Sequence, residues 1–145
     1  MADRTSSSIT VDAATADVMA VIADFSRYPE WADGIKEATV VAGDGDRAGE
    51  VRFTLDAGVI RDTYSLAYTW SGDEAVEWDL AQPGAIVSGM SGAYRLTTEG
   101  PRTRVVYELA VDVKIPMPGL LRRKAEKTII GTALKGLKNR VESGH

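Results

Sequence analysis

Apolar and polar residues alternate from Ser7 to Asp12, with Ile9 and Val11 on one face and Ser8, Thr10 and Asp12 on the other, the period of a half-buried strand. From about Ala14 the period changes. Val18, Val21, Ile22 and Phe25 recur at helical spacing, and Asp12 or Thr15 is placed to cap the helix. Tyr28-Pro29 ends it, because the residue before a proline is pushed out of the α region. Pro29 then suits the first turn of a second short helix, "PEWADGI", stopped near Gly34.

From Lys36 to Val113 the period is two throughout. Val40 and Val41 lead into the turn-rich "AGDGDRAG", after which Val51, Phe53 and Leu55 alternate with Arg52, Thr54 and Asp56. Ala57-Gly58 reads as a hairpin turn, and the next strand carries Ile60, Asp62, Tyr64, Leu66, Tyr68 and Trp70 on one face. "SGDE" turns the chain into Val76, Trp78 and Leu80, and "AQPGA" turns it again. Ile86, Ser88, Met90, Gly92, Tyr94 and Leu96 share a face of the following strand; "EGPR" closes that hairpin, and Val105, Tyr107, Leu109, Val111 and Val113 complete the set. Short links between alternating strands predict an antiparallel meander with one buried and one wet face. Ser88, Gly89, Ser91 and Gly92 interrupt one strand with small residues, which predicts a bulge or tight bend more readily than space left for a ligand.

The last segment, about Met117 to Ser143, is long enough for a helix of roughly 39 Å. Pro118 suits its first turn. Ile130, Leu134, Leu137 and Val141 form one stripe in its second half, with Ala133 beside them. Carried backward, that stripe meets Arg123, Glu126 and Lys127, while Leu121 and Ala125 point the other way. The two halves are therefore expected to face different surroundings.

Composition narrows the chemistry. The 145 residues fit one domain, 1–145. Hydrophobic residues at 44% and charged residues at 26% argue against disorder or a fibrous repeat. No apolar run approaches the roughly 20 residues that span a bilayer. Met1 to Ser8 is polar, so no cleaved export signal is expected and the cytoplasm is the default location. There is no cysteine, and the single histidine is His145, which leaves carboxylates, tyrosines, lysines and arginines for any chemistry. Neither a metal nor another cofactor is expected.

The order strand, helix, short helix, six-strand meander, long helix resembles the helix-grip fold of the START-related (SRPBCC) superfamily, which includes pollen allergens, polyketide cyclases and aromatases, coenzyme Q-binding proteins and lipid-transfer domains. "VMAVIADFSRYPEWADGIKEATVV", "DTYSLAYTW" and "VKIPMPGLLRRKAEKTIIGTALKGLK" are similar to actinobacterial members labelled polyketide cyclase/dehydrase or lipid-transport proteins. The resemblance implies an α+β fold in which a curved seven-stranded antiparallel sheet wraps the C-terminal helix around a cavity. It implies no universal catalytic motif.

Pleat and resemblance together point Trp31, Phe53, Asp62, Tyr64, Tyr68, Trp78, Met90, Tyr94, Tyr107, Arg123, Ile130 and Leu134 at a ligand, with Ser88 on the same inward rows. An empty apolar cavity destabilises by about 24 cal/mol per Å³, so a pocket of about 300 Å³ extrapolates to roughly 7 kcal/mol. Domains are stable by only about 5 to 15 kcal/mol, so the cavity should hold ligand or ordered water. Asp62 is either a buried general acid or anchor, or a strand-end carboxylate that caps backbone amides or pairs with an arginine, and its place beside a turn favours the second. The tyrosines are either ligand platforms or core aromatics. Trp31 gates the cavity mouth or packs between the two helices.

The final helix carries Arg122, Arg123, Lys124, Lys127, Lys135, Lys138 and Arg140 against Glu126 and Glu142, within a chain of net charge −4. That basic face is either solvated or a dock for an anionic head group or membrane. With a pI near 5.0 and no interleaving of aromatic and basic residues on one strand, nucleic acid is disfavoured. The leading expectation is a protein that binds or carries a hydrophobic polyketide-like, isoprenoid or lipid ligand. The alternatives are a cyclase or dehydratase using Asp62 and tyrosines, with Arg61 or Arg123 stabilising an enolate, and a module docking on a membrane or partner through the basic helix. One clear carboxylate on the inward rows favours binding, since catalysis needs at least two converging groups.

Overall fold

The computed structural model describes residues 4–32, 34–44, 47–56 and 61–143. The elements are β1 (Thr5–Val11), α1 (Thr15–Ala23), a 3₁₀ turn (Phe25–Arg27), α2 (Tyr28–Trp31), β2 (Ile35–Asp44), β3 (Arg47–Asp56), β4 (Arg61–Ser71), β5 (Ala75–Gln82), β6 (Val87–Glu99), β7 (Arg102–Val113) and α3 (Gly119–Glu142). The strands form one antiparallel sheet in the order β1-β7-β6-β5-β4-β3-β2, the expected meander with the first strand returned to its far edge. Curved around α3, the sheet makes the α+β helix-grip architecture that the family resemblance implies. The expected Ala57-Gly58 turn and Ile60 lie outside the described residues.

Three local expectations are corrected. Helix α1 stops at Ala23, earlier than Tyr28, because Asp24 leaves the helical region and a 3₁₀ turn intervenes; Pro29 then sits inside the first turn of α2. Neither Asp12 nor Thr15 caps α1. Its N-cap is Ala14, and the Thr15 hydroxyl lies 2.8 Å from that of Thr98, tying the helix to β6. Pro118 occupies the N-cap of α3 and not its first turn.

The small-residue run in β6 contains a bulge between Val87 and Gly89. One extra residue reverses the pleat, so Val87 is buried and Ser88, placed on the inward row by strict alternation, is exposed. Beyond the bulge Met90, Tyr94 and Leu96 face inward as predicted. Gly92 has a separate cause: a Cβ there would come within 2.6 Å of the Trp78 ring and 2.5 Å of the Glu108 carbonyl.

The two halves of α3 do differ in surroundings, but not as their charges suggested. Arg123 and Lys127 are exposed, whereas Glu126 is 1% exposed. Its carboxylate accepts hydrogen bonds from the Thr5 hydroxyl at 2.6 Å and the Val111 amide at 2.8 Å, joining α3 to β1 and β7. A buried carboxylate lacking such donors would be costly. Near the other end, Gly136 lets α3 approach α2 so closely that a Cβ would fall 1.9 Å from the Trp31 carbonyl oxygen.

Candidate functional site

Between the sheet and α3 lies a cavity of about 310 Å³. Alternation on five adjacent strands supplies one wall: Phe53 and Leu55 from β3, Tyr64, Leu66 and Tyr68 from β4, Trp78 from β5, Met90 and Tyr94 from β6, Tyr107 and Leu109 from β7. Tyr28 and Ala32 close it from the α2 side, and Thr128, Ile129, Thr132 and Ala133 form its roof on α3. Lys36 and Thr128 are the exposed residues of the described lining, and Gly34, Ile35, Asp56, Ile129 and Thr132 are half-buried beside them, which places the mouth between the start of β2, the end of β3 and the middle of α3.

All ten aromatic residues of the chain belong to one connected network, running from Trp31 through Tyr28 and Phe25 to Phe53 and Tyr68, and on to Trp78, Tyr94 and Tyr107. At its inner end Tyr94 and Tyr107 are 4.6 Å apart by centroid, and Trp78 meets Tyr107 edge-on at 5.6 Å. Such contacts hold rings in place by roughly 0.5–1.5 kcal/mol each beyond their burial. The wall is therefore rigid, and the rings interlock without filling the space.

Tyr28 donates its hydroxyl hydrogen bond to the Ile22 carbonyl. The other four behave differently. No hydrogen bond among the described residues involves the hydroxyl of Tyr64, Tyr68, Tyr94 or Tyr107. The Trp78 Nε1–H, on the same wall, is likewise buried without a partner. Burial pushes all four hydroxyls well above the ordinary tyrosine pKa, reinforced at Tyr64, Tyr68 and Tyr94 by their neighbouring tyrosines, so they remain neutral O–H groups. The site thus offers several hydrogen-bond donors on a greasy wall.

Seven of the expected ligand-facing residues line the cavity: Phe53, Tyr64, Tyr68, Trp78, Met90, Tyr94 and Tyr107. Five do not. Asp62 turns its carboxylate onto the β5–β6 connection, accepting from the amides of Ala85, Ile86 and Val87 at 2.9, 2.9 and 2.7 Å. Gly84 makes room for it, since a Cβ would lie 2.0 Å from one carboxylate oxygen. Burial pushes the Asp62 carboxyl up, but the amides of Val87, Ile86, Thr63 and Ala85 outweigh it and hold it below its ordinary value. It is a capping carboxylate, as its position beside a turn favoured, and a poor proton donor.

Trp31 is packed against Tyr28 and α3, with its indole N–H buried, and is not a gate on the lining. Arg123 is exposed, and Arg61, also exposed, pairs with Asp56 at 3.2 Å. Ile130 and Leu134 are core residues, while Ile129 and Ala133, one position earlier on each turn, face the cavity. The strongest apolar stripe of α3 goes to the closest packing, and a weaker stripe broken by Thr128 and Thr132 is left for the cavity. That polar interruption was the signal in the sequence.

No group of three or more metal-ligating side chains that could hold an ion occurs among the described residues. Of the carboxylates, Asp56 alone is found on the described lining, at the mouth. What the interior can do chemically is enclose an apolar body and donate hydrogen bonds to its oxygens.

A curved sheet grasping a long helix over a mostly apolar cavity defines a helix-grip protein of the START-like (SRPBCC) class. The chain belongs to the polyketide cyclase/dehydrase and lipid transport family, whose model matches residues 2–142. Among solved structures it is similar to a START superfamily protein from Mycobacterium smegmatis, with 23% identity, coverage of 98% of this chain and 99% of that one, and a TM-score of 0.89. It is also similar to a protein from Thermus thermophilus (23% identity, 97% of each chain, TM-score 0.81) and to the Zhui aromatase/cyclase from a Streptomyces species (17% identity, 96% of this chain and 93% of that one, TM-score 0.77). At these identities the likeness concerns the fold. No functionally curated protein matches the sequence.

Proposed function

We propose that the protein binds a hydrophobic small molecule, flat and bearing ketone or similar acceptor oxygens, in the cavity between its sheet and α3. The observation that carries this reading is the set of four neutral tyrosine hydroxyls, unpartnered among the described residues, on an aromatic wall around about 310 Å³ of space. A void of that size left empty and apolar would cost about 7 kcal/mol, comparable to a domain's whole stability. Flat aromatic or conjugated guests match the ring geometry, and their oxygens match the donors. Polyketide-like compounds and quinones have both features; a saturated acyl chain has neither the flat rings nor, along its length, the oxygens.

Binding or carriage is favoured over catalysis on the same ground. A cyclase or dehydratase needs an acid and a base converging on one reacting carbon. The interior offers tyrosine O–H groups as acids, while Asp56 stands at the mouth beside Arg61. Native mass spectrometry of freshly purified protein, followed by dye displacement with quinones, aromatic polyketides and fatty acids, tests the reading. A retained or displacing flat oxygenated compound is the expected result. Repeated isolation without ligand, with no displacement by any of the three classes, overturns it.

A further inference from the structure

The first turns of α3 and the link before them expose the largest apolar side chains of this end of the molecule. Leu120 is 84% exposed, Ile115 50% and Leu121 39%, with Pro116 and Pro118 exposed between them. At about 100° per residue, Leu120, Arg123, Lys124 and Lys127 fall on one outward face of the helix. The opposite face carries the buried Ala125 and Glu126. Arg122 is drawn aside to Asp112 at 3.6 Å. Arg123, Lys124 and Lys127 enter no ion pair among the described residues. Three uncommitted cations around exposed leucine, on an acidic chain of net charge −4, do not serve internal neutralisation.

Position gives the patch a use. In the antiparallel sheet β2 begins, β3 ends, β6 begins and β7 ends at one end, and α3 departs from β7 there. The Lys114 amide donates to the Ile86 carbonyl, and Lys114 Nζ to that of Gly84, which pins the link to the same end. The cavity mouth, at Gly34 to Lys36 and Asp56, opens at this end too, with an exposed cation of its own in Lys36.

We infer that this face docks on an anionic bilayer: Ile115, Leu120 and Leu121 enter the headgroup boundary while Arg123, Lys124 and Lys127 meet acidic lipid, bringing the cavity mouth to the surface. A basic helical face with exposed apolar residues is the pattern of interfacial binding, and its strength scales with buried apolar area and lipid charge. Each cation near such a surface contributes roughly a fivefold gain in partition, so three are on the order of a hundredfold. An acidic protein would satisfy the cations but would give the exposed Leu120 no apolar medium. The inference does not require the cavity ligand to be a lipid.

Co-sedimentation of the whole chain with phosphatidylcholine vesicles, with and without phosphatidylserine and at low and high salt, tests it. The expected result is binding to the anionic vesicles that salt weakens. Replacing Arg123, Lys124 and Lys127 together by Glu should reduce it tenfold or more, and Leu120→Ser should reduce it at unchanged salt slope. All four positions are exposed, so thermal unfolding and dye uptake by the cavity should stay as in the parent, which separates this test from that of the cavity. Equal binding to neutral and anionic vesicles, or full binding by the triple reversal, overturns the inference. So does capture by soluble polyglutamate without vesicle binding, which would assign the face to an acidic protein.

Discussion

Tyr94 and Tyr107 stand 4.6 Å apart with hydroxyls that no described protein group engages. Removing either oxygen therefore leaves the fold intact. Tyr107→Phe should change stability by less than about 1 kcal/mol, yet weaken an oxygen-bearing ligand by roughly threefold to tenfold, the usual worth of one hydrogen bond. A displacement titration beside a thermal melt would show the split. Their raised pKa values set a second expectation. Neutral tyrosine is favoured in the folded state, so this contribution is complete below the unfolded value of about 10 and is lost as pH rises beyond it. Ultraviolet titration should show the cavity tyrosines ionising only with unfolding. Asp62 runs the other way. Its depressed carboxyl stabilises above the unfolded value near about 3.9 and loses that contribution as pH falls through the folded one. Asp62→Asn should lower stability near neutrality by about 1–2 kcal/mol, flatten the acid limb and leave cavity binding unchanged. Loss of binding with stability intact would return Asp62 to the ligand.

At the scale of elements, packing overrides propensity where α3 crosses α2. Alanine is favoured over glycine in a helix by about 1 kcal/mol, but at 136 its Cβ would lie 1.9 Å from the Trp31 carbonyl. Gly136→Ala should therefore destabilise by about 1–3 kcal/mol, as overpacking does, and a denaturant titration that showed stabilisation would mean α2 yields freely. The strands were legible because a two-residue period assigns faces directly: seven of the twelve residues pointed at a ligand do line the cavity, and all seven sit on strands. The assignment failed where that period breaks or does not exist. The β6 bulge turned Ser88 outward, and Asp62 lies at a strand end where the side chain can bend to nearby amides. On α3 the cavity side was misjudged by one position, because the apolar stripe shows what is buried but not by which neighbour. Glu126 falls with Arg123 and Lys127 on the charged continuation of the apolar stripe, yet it is a buried clamp, which the pattern could not show because its partners, Thr5 and Val111, lie on other elements.

For the whole molecule the central question is whether the space under α3 is a binding site or merely loose packing. Ala133 lines the roof of the cavity and is itself buried, so a larger apolar side chain there would project into the void. Filling a void and blocking a site have opposite consequences for stability and binding. Ala133→Leu, compared with the parent protein by dye titration and thermal unfolding in parallel, is the most direct measurement. If the space is a binding site, the variant melts at equal or higher temperature and takes up the dye at least about tenfold more weakly. Undiminished uptake by a stably folded Ala133→Leu protein would contradict it.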